Sequence, residues 1–401
     1  MFVKEKSKTY IWIALIILSV GLLIENLAER VNSYNATVLA FSYKYGFGSR
    51  SLIGTIYQGL NDILPMNLNT YASVNHFVFI ITILFTVAVL AFCRLVIRRV
   101  EIESTGAWML LFLFAIFTIP TFAGYYNFGR LDLYMILLDL LGVVLIVKDK
   151  GLWLLLPIMA AGVMVHQAYV FMYANVLLVL LFFRWMETGE KKYSSIFFLC
   201  LFTVSILFMW FNFFGRAIES PYVDEIIENA KAMTYKHKYH KDVVRAEILG
   251  VDLTKEEWEY HIRNFIELPF FLLMFSPFIM QLICIVKKIR ISTSHIPIQK
   301  KLGYLAVVVG PMTILPLYIM KVDFGRWTYA VIFYYLVISM ALLMMKDTIY
   351  TFSIGEVYSE ILMYGKWLPT FLVLYGFLFT PFTDLSIDAI SYSFYSLWGL
   401  E

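Results

Sequence analysis

Residues 76–98 read HFVFIITILFTVAVLAFCRLVIR, and from Phe77 to Cys93 no Asp, Glu, Lys or Arg interrupts them. A helix rises 1.5 Å per residue, so about 20 such residues cross the ~30 Å hydrocarbon core of a bilayer. The stretch therefore reads as a membrane-spanning helix, closed at one end by Arg94, Arg98 and Arg99. Comparable blocks recur at 10–28, 105–124, 131–148, 152–165, 168–183, 194–214, 269–286, 302–320, 328–346 and 366–382. Together they predict an all-α, polytopic integral membrane protein of about eleven transmembrane helices, with residues 1–401 forming a single membrane domain.

Composition points the same way. Hydrophobic residues make up 61% of the 401 positions and charged residues 15%, with a mean hydropathy of +0.75. A soluble domain averages roughly 45–50% apolar and about 25% charged residues. The formal net charge of +3 arises from short clusters beside the apolar blocks, which gives no nucleic-acid signal. Cys93, Cys200 and Cys284 each lie within apolar runs and form neither a metal-binding spacing nor a disulfide framework. The N-terminal run lacks a small-x-small cleavage site and closes on Glu25 and Asn26, so it reads as a retained first span.

Orientation follows from Lys and Arg in the short connections. Lys4, Lys6 and Lys8, then Arg94, Arg98 and Arg99, then Lys148 and Lys150 fall on one side. Arg184, Lys191 and Lys192, and the later group Lys287, Lys288, Arg290, Lys300 and Lys301, join them when the N-terminus is cytoplasmic. That topology requires 152–183 to enter and return, with its break at Gly162 and His166-Gln167. Broken helices at membrane depth are tolerated where they are buried in protein or line a cavity. The opposite, outer face then receives residues 29–75, 121–130, 321–327, the tail after Phe382 and a long loop, 215–268. This loop carries helix-like stretches near 223–248 and 254–267, and its apolar positions Ile226, Ile227, Ala230 and Met233 suit a lid lying on the membrane surface.

Three arginines gather on that outer side. Arg50 follows Tyr45-Gly46-Phe47-Gly48-Ser49, where serines are placed to cap a short helix from about Arg50 to Leu60; a helix N-terminus beside an arginine is an anion site. Arg130 opens the fourth span with Asp132 close by, and Asp139 lies on nearly the same helical face about 10 Å deeper. Arg326, with Asp323 and Lys321, opens the tenth span. The segments Asn127-Phe128-Gly129-Arg130-Leu131-Asp132 and Asp323-Phe324-Gly325-Arg326-Trp327 echo each other, too briefly to mark a duplication. Plainer accounts are an interfacial ion pair of Arg130 with Asp132 and a snorkelling Arg326 among belt aromatics. An acid at the depth of Asp139 is costly and usually faces a cavity or a partner. His166 sits at the break, where an imidazole could take a proton from an attacking hydroxyl near neutral pH or simply satisfy its neighbours.

Arginines converging on one cavity suit a multiply charged oxyanion such as a phosphate or diphosphate, which the guanidinium engages bidentately. Apolar helices around them suit an isoprenoid tail, and Tyr125, Tyr126, Tyr169 and Trp327 suit stacking on sugar rings. No Walker A loop, HExxH, GxSxG triad, dinucleotide fingerprint or metal-spaced carboxylate pair is present, so neither a cofactor nor a metal is expected. In this scheme His166, Arg130 and Arg326 are the catalytic residues, while Arg50, Asp132, Asp139, Asp323 and Tyr126 bind substrate.

The layout of many spans, a long outer loop, Arg50, Arg130, Arg326 and His166 resembles the Wzy-type polysaccharide polymerases of bacterial capsule, exopolysaccharide and O-antigen assembly. The resemblance implies transfer of glycan repeat units from an undecaprenyl-pyrophosphate carrier at the outer face of the bacterial cytoplasmic membrane. It also implies a lipid-linked oligosaccharide and membrane lipid as partners, with a chain-length regulator or other envelope-assembly protein beside them. The related C-type glycosyltransferases share a multi-span fold. Their paired acidic motif in the first outer loop is missing here, where Glu25, Glu29 and Asp62 stand apart. A transporter or flippase for a lipid-linked or anionic solute is the competing expectation, since transporters use broken helices around a midplane polar site. An interaction subunit without chemistry of its own is the third.

Overall fold

The computed structural model describes residues 2–25, 30–64, 68–102, 106–123, 127–214, 222–241, 243–244, 268–269, 272–273, 275–320 and 323–378. Among these the regular structure is helical throughout, with no strand. Among the described residues, five helices are long and apolar enough to cross a membrane: Lys6–Ile24, Tyr71–Arg99, Lys191–Phe213, Ile298–Ile319 and Phe324–Met344. That is fewer than the eleven spans expected from hydropathy. Several of the apolar blocks form shorter helices, such as Leu155–Val165, whose 11 residues rise only about 16 Å.

The first five helices are α1 (Phe2–Glu25), α2 (Ser33–Val38), α3 (Ser51–Ile63), α4 (Tyr71–Arg99) and α5 (Ala107–Ala123). The middle of the chain forms α6 (Asp132–Lys148), α7 (Leu155–Val165), α8 (Tyr169–Met172), α9 (Ala174–Thr188), α10 (Lys191–Phe213) and α11 (Val223–Met233). The last six are α12 (Ser276–Ser292), α13 (Ile298–Val309), α14 (Leu315–Met320), α15 (Phe324–Met344), α16 (Thr348–Tyr364) and α17 (Leu368–Leu378).

Helix α15 is the axis of the bundle. Of its most apolar stretch 83% is buried, against 17% for the corresponding stretches of α1 and α10, which show Ile13, Ile17, Phe202 and Phe213 to the outside. An apolar exterior is the normal state of a helix against lipid tails. The two ends of the bundle differ in chemistry. At one, Arg99 Nη1 donates to the Val147 carbonyl (3.3 Å), Lys192 pairs with Asp149 (2.6 Å) and Arg184 Nη2 donates to the Tyr193 hydroxyl (2.9 Å). The starts of α6 and α15 share the opposite end.

Two of the rods are broken. Helix α7 ends at His166, whose backbone is extended, and α8 and α9 follow, so the expected break in 152–183 lies at that residue. The second break was not anticipated, because 302–320 reads as one apolar block. Pro311 has no N–H to donate and its ring excludes the helical path, and the chain tightens into a 3-10 turn over Gly310–Ile314. The carbonyls left without their helical donors are taken by two tyrosines of α15: the Tyr334 hydroxyl donates to Val307 O and the Tyr335 hydroxyl to Val308 O, each at 2.9 Å. The breaks also hold each other. Asn175 Nδ2 donates to Thr313 Oγ1 (2.9 Å) and to Gly310 O (3.4 Å), and the Thr313 hydroxyl donates to Phe171 O (3.1 Å).

Three further differences from the sequence reading have local causes. Helix α16 lies in a stretch that the hydropathy blocks omit; Glu356 and Glu360 lower its apolarity and pair with Lys288 of α12. The loop helix expected over 223–248 stops at Met233, where Lys236 and His237 adopt positive φ. Its apolar face does not lie on a membrane surface: Ile226, Ala230 and Met233 are fully buried, and α11 packs on α2 and α4. The second loop stretch, 254–267, lies outside the described residues.

An unsatisfied buried carbonyl costs about 1–3 kcal/mol. Tyr334→Phe should therefore lower the thermal stability of the detergent-solubilised protein by about that amount, and Tyr335→Phe, on a less buried side chain, by less. Tryptophan-fluorescence melting of the two variants checks the order.

Candidate functional site

Helix α6 opens with Asp132, and a carboxylate in the first turn complements the positive end of the helix. Helix α15 opens with Arg326 in its first turn, where the same dipole disfavours a cation. The two starts solve the problem together. Arg326 Nε donates to Asp132 Oδ1 at 2.8 Å, and Arg326 Nη1 stands 3.5 Å from Asp323 Oδ2. Arg130 reaches in the other direction, its Nη2 donating to Asp323 Oδ2 at 3.2 Å, while its Nε lies 3.8 Å from Asp132 Oδ2. The two echoing segments thus exchange partners, each arginine reaching the aspartate of the other. The plainer account, a pairing of Arg130 with Asp132, holds at 3.8 Å and is joined by the shorter crossed contact to Asp323.

Around the exchange stand groups that fix its geometry. Arg130 Nη1 donates to Asn127 Oδ1 (2.8 Å), and Asn35 Nδ2 donates to Phe128 O (2.9 Å), tying the 127–130 turn to α2. The Tyr173 hydroxyl donates to Asp132 Oδ1 (3.0 Å), and the Arg326 guanidinium lies 5.3 Å from the centre of the Trp327 ring. Burial separates the pairs. Asp132 is 0% exposed and the Arg326 side chain 6%, whereas the side chains of Arg130 and Asp323 are 19% and 43% exposed. Arg326 Nη2 is buried and makes no hydrogen bond among the described residues.

Arg50 joins this group electrostatically. Loss of water around Asp323 pushes its carboxyl up, but the charges of Arg130, Arg326 and Arg50 outweigh that and hold it below the ordinary aspartate range. The local structure at Arg50 departs from the capping expected of its serines. Arg50 itself occupies the N-cap position in the left-handed region (φ 63°) without a side-chain cap. Thr55 Oγ1 donates to the Ser51 carbonyl and also accepts from the Tyr43 N–H (2.8 Å). Left-handed backbone is uncommon for a residue with a side chain and, when held, marks a position the surroundings over-determine. The hold comes from Gly54, whose missing Cβ lets α3 lie against the carbonyls of Leu39 and Phe41, and from Gln58, whose Nε2 donates to Ala40 O at 3.0 Å.

The remaining expected residues fall elsewhere. Asp139 is fully buried and accepts from the Tyr169 hydroxyl at 2.7 Å, forming a second carboxylate–tyrosine pair below that of Asp132 and Tyr173. His166 is buried at the end of α7, and its Nδ1 accepts from the Ala168 N–H at 3.0 Å. A ring that accepts at Nδ1 carries its neutral-state proton on Nε2, so His166 is arranged as a donor there and the geometry does not favour it as a base. Tyr126, with Tyr125 and Lys321, lies outside the described residues. Sequence reading named Tyr169 only as a stacking partner and passed over Asn35 and Tyr173. The spacing offered a signal for one of them: Tyr169 and Tyr173, four apart, face Asp139 and Asp132, seven apart.

Compared with protein-family models, with curated proteins and with solved structures, the chain matches none. The site therefore rests on its own chemistry.

Removing one partner of a buried ion pair costs about 3–5 kcal/mol, while an exposed pair contributes about 0.2–1 kcal/mol. Asp132→Asn should accordingly destabilise the protein several-fold more than Asp323→Asn. Thermal melts of both variants in one detergent test this, and equal losses would contradict the division into a buried and a half-exposed pair.

Proposed function

We propose that this chain is a membrane glycosyltransferase of the polysaccharide-polymerase kind, joining glycan repeat units from an undecaprenyl-pyrophosphate-linked donor at the outer face of a bacterial cytoplasmic membrane. What supports the reading is the meeting of Arg130, Arg326 and the charge of Arg50 on the single carboxylate of Asp323, at one end of an apolar helical bundle. Guanidiniums aimed at a site where negative charge develops stabilise the departing group in the transition state. In the transfer, an acceptor hydroxyl oxygen bonds to the anomeric carbon as the bond from that carbon to the diphosphate oxygen breaks. The diphosphate leaves with the electron pair, and the acceptor's proton goes ultimately to that product. Arg130 and Arg326, which share Asp323, are the arginines that meet the ligand, Arg326 being also bound to Asp132 within the protein, and Arg50 adds its charge. The reading gives His166 a donor's part at Nε2 and assigns it no base chemistry.

A transporter or flippase for a lipid-linked saccharide is the second reading, favoured by one observation: the breaks at His166–Tyr173 and Gly310–Ile314 are clasped together beside the buried Asp139. Clasped half-helices around an intramembrane acid are a transporter's means of building a site.

Arg50→Ala and Arg130→Ala, which leave the buried Asp132–Arg326 pair intact, separate the readings in cells. A polymerase should lose polymer by about 10²–10³-fold and accumulate single repeat units on the lipid at the outer face. A flippase should instead leave those units facing the cytoplasm. Unchanged polymer in both variants would remove both readings.

A further inference from the structure

We propose that Asp323 is an internal substitute for the ligand's anionic group, engaging Arg130 and Arg326 until a diphosphate displaces it. The inference rests on the diphosphate-binding reading above and assigns a further residue to that site.

Its first support is a cap that is not made. Asp323 is the N-cap residue of α15, and its side chain bonds to none of the helix's own N–H groups. Aspartate is among the best N-caps because its carboxylate accepts from the second or third N–H of the helix. Here the carboxylate turns to the arginines instead.

Its second support is the contrast with Asp132. Asp132 is wholly buried and accepts from Arg326 at 2.8 Å and from Tyr173 at 3.0 Å, so it is fixed. Asp323 is 43% exposed and offers a single oxygen, Oδ2, to both arginines at the longer distances of 3.2 and 3.5 Å. One carboxylate is built in and the other is exchangeable.

Charge then makes an anion the displacing ligand. Among the described residues, the guanidiniums of Arg130 and Arg326 face Asp132 and Asp323, and the charge of Arg50 reaches Asp323. With Asp132 fixed on Arg326, displacing Asp323 leaves Arg130 and the second face of Arg326 to incoming phosphoryl oxygens. A diphosphate offers such oxygens on both of its phosphorus atoms. Opposed charges discriminate more strongly as water is excluded around them.

The test is isothermal titration of the full-length protein in nanodiscs with inorganic pyrophosphate and, separately, farnesyl pyrophosphate. Asp323→Asn and Asp323→Ser remove the competing charge and keep good capping residues, so melting temperatures near wild type are expected. Both should bind pyrophosphate about tenfold tighter than wild type, while Asp323→Glu should stay near wild type. Tighter binding of the farnesyl compound than of free pyrophosphate identifies a lipid headgroup as the ligand's source, and equal binding identifies a free anion; the tightening in Asp323→Asn supports the role of Asp323 with either. If Arg50→Ala and Arg130→Ala weaken binding but Asp323→Asn and Asp323→Ser bind no tighter than wild type, the inference is overturned and the diphosphate reading stands. If neither wild type nor Asp323→Asn binds pyrophosphate, or if the arginine variants bind it as wild type does, the reading fails and the inference with it.

Discussion

Two helices of this bundle begin side by side with an arginine at or next to each start, and the architecture of that end follows from neutralising them. A helix N-terminus repels a cation, and two guanidiniums near one another repel each other, more so where water is scarce. Crossed pairing answers both at once: Arg326 takes Asp132 from α6, and Arg130 takes Asp323 from the start of α15. The exchange fixes α6 and α15 in register without any contact between their apolar faces having to specify it. It also explains the tether from Asn35 to Phe128. The turn carrying Arg130 must be held at the height of Asp323 if the second pair is to form.

The same requirement, that polar groups find partners where water cannot supply them, governs the breaks below. In hydrocarbon an unpaired carbonyl costs several kcal/mol, roughly what a helix break would otherwise forfeit. Both breaks are closed by neutral donors. The hydroxyls of Tyr334 and Tyr335 serve Val307 and Val308, and the Asn175 amide serves Gly310. A tyrosine can do this at depth because its ring is apolar and only its tip needs a partner. The break at His166 has a second consequence. It turns Tyr169 and Tyr173 toward α6, so the buried acids Asp139 and Asp132 each receive a hydroxyl from the same bent segment.

How much of this was legible in the sequence depends on the physical signal involved. The helical membrane class was, because it is a matter of average composition and block length. The break near His166 was, because Gly162 and the polar pair His166-Gln167 interrupt an apolar run between basic flanks. The break at Pro311 was not: its neighbours are apolar, and the donors that make it tolerable lie more than twenty residues away on α15. Hydropathy also measures apolarity and not length, and α7 is as apolar as a full crossing while covering half of one. At the site, sequence singled out Arg50, Arg130, Arg326, Asp132 and Asp323 by their rarity in apolar surroundings. It could not show which arginine takes which aspartate. The crossed contacts depend on the adjacency of two helix starts about 190 positions apart, and local spacing could show only the longer pair, Arg130 with Asp132.

The difference in burial between the two pairs bears on what a membrane site for a charged ligand requires. If both arginines were bound as Arg326 is, to a buried carboxylate, a ligand would have to break a desolvated ion pair to enter, and binding would be slow and weak. If neither were bound, uncompensated guanidiniums would face one another at the edge of the hydrocarbon, and the helix starts would separate. One buried pair supplies the fixed geometry, and one half-exposed pair keeps the second arginine charged, oriented and exchangeable. Arg50, held in left-handed backbone by the packing of α3 on residues 39–41, adds its charge without sharing that geometry. The site is thus preorganised on one side and open to competition on the other, which is the condition under which a polyanion can displace a single carboxylate without disturbing the fold.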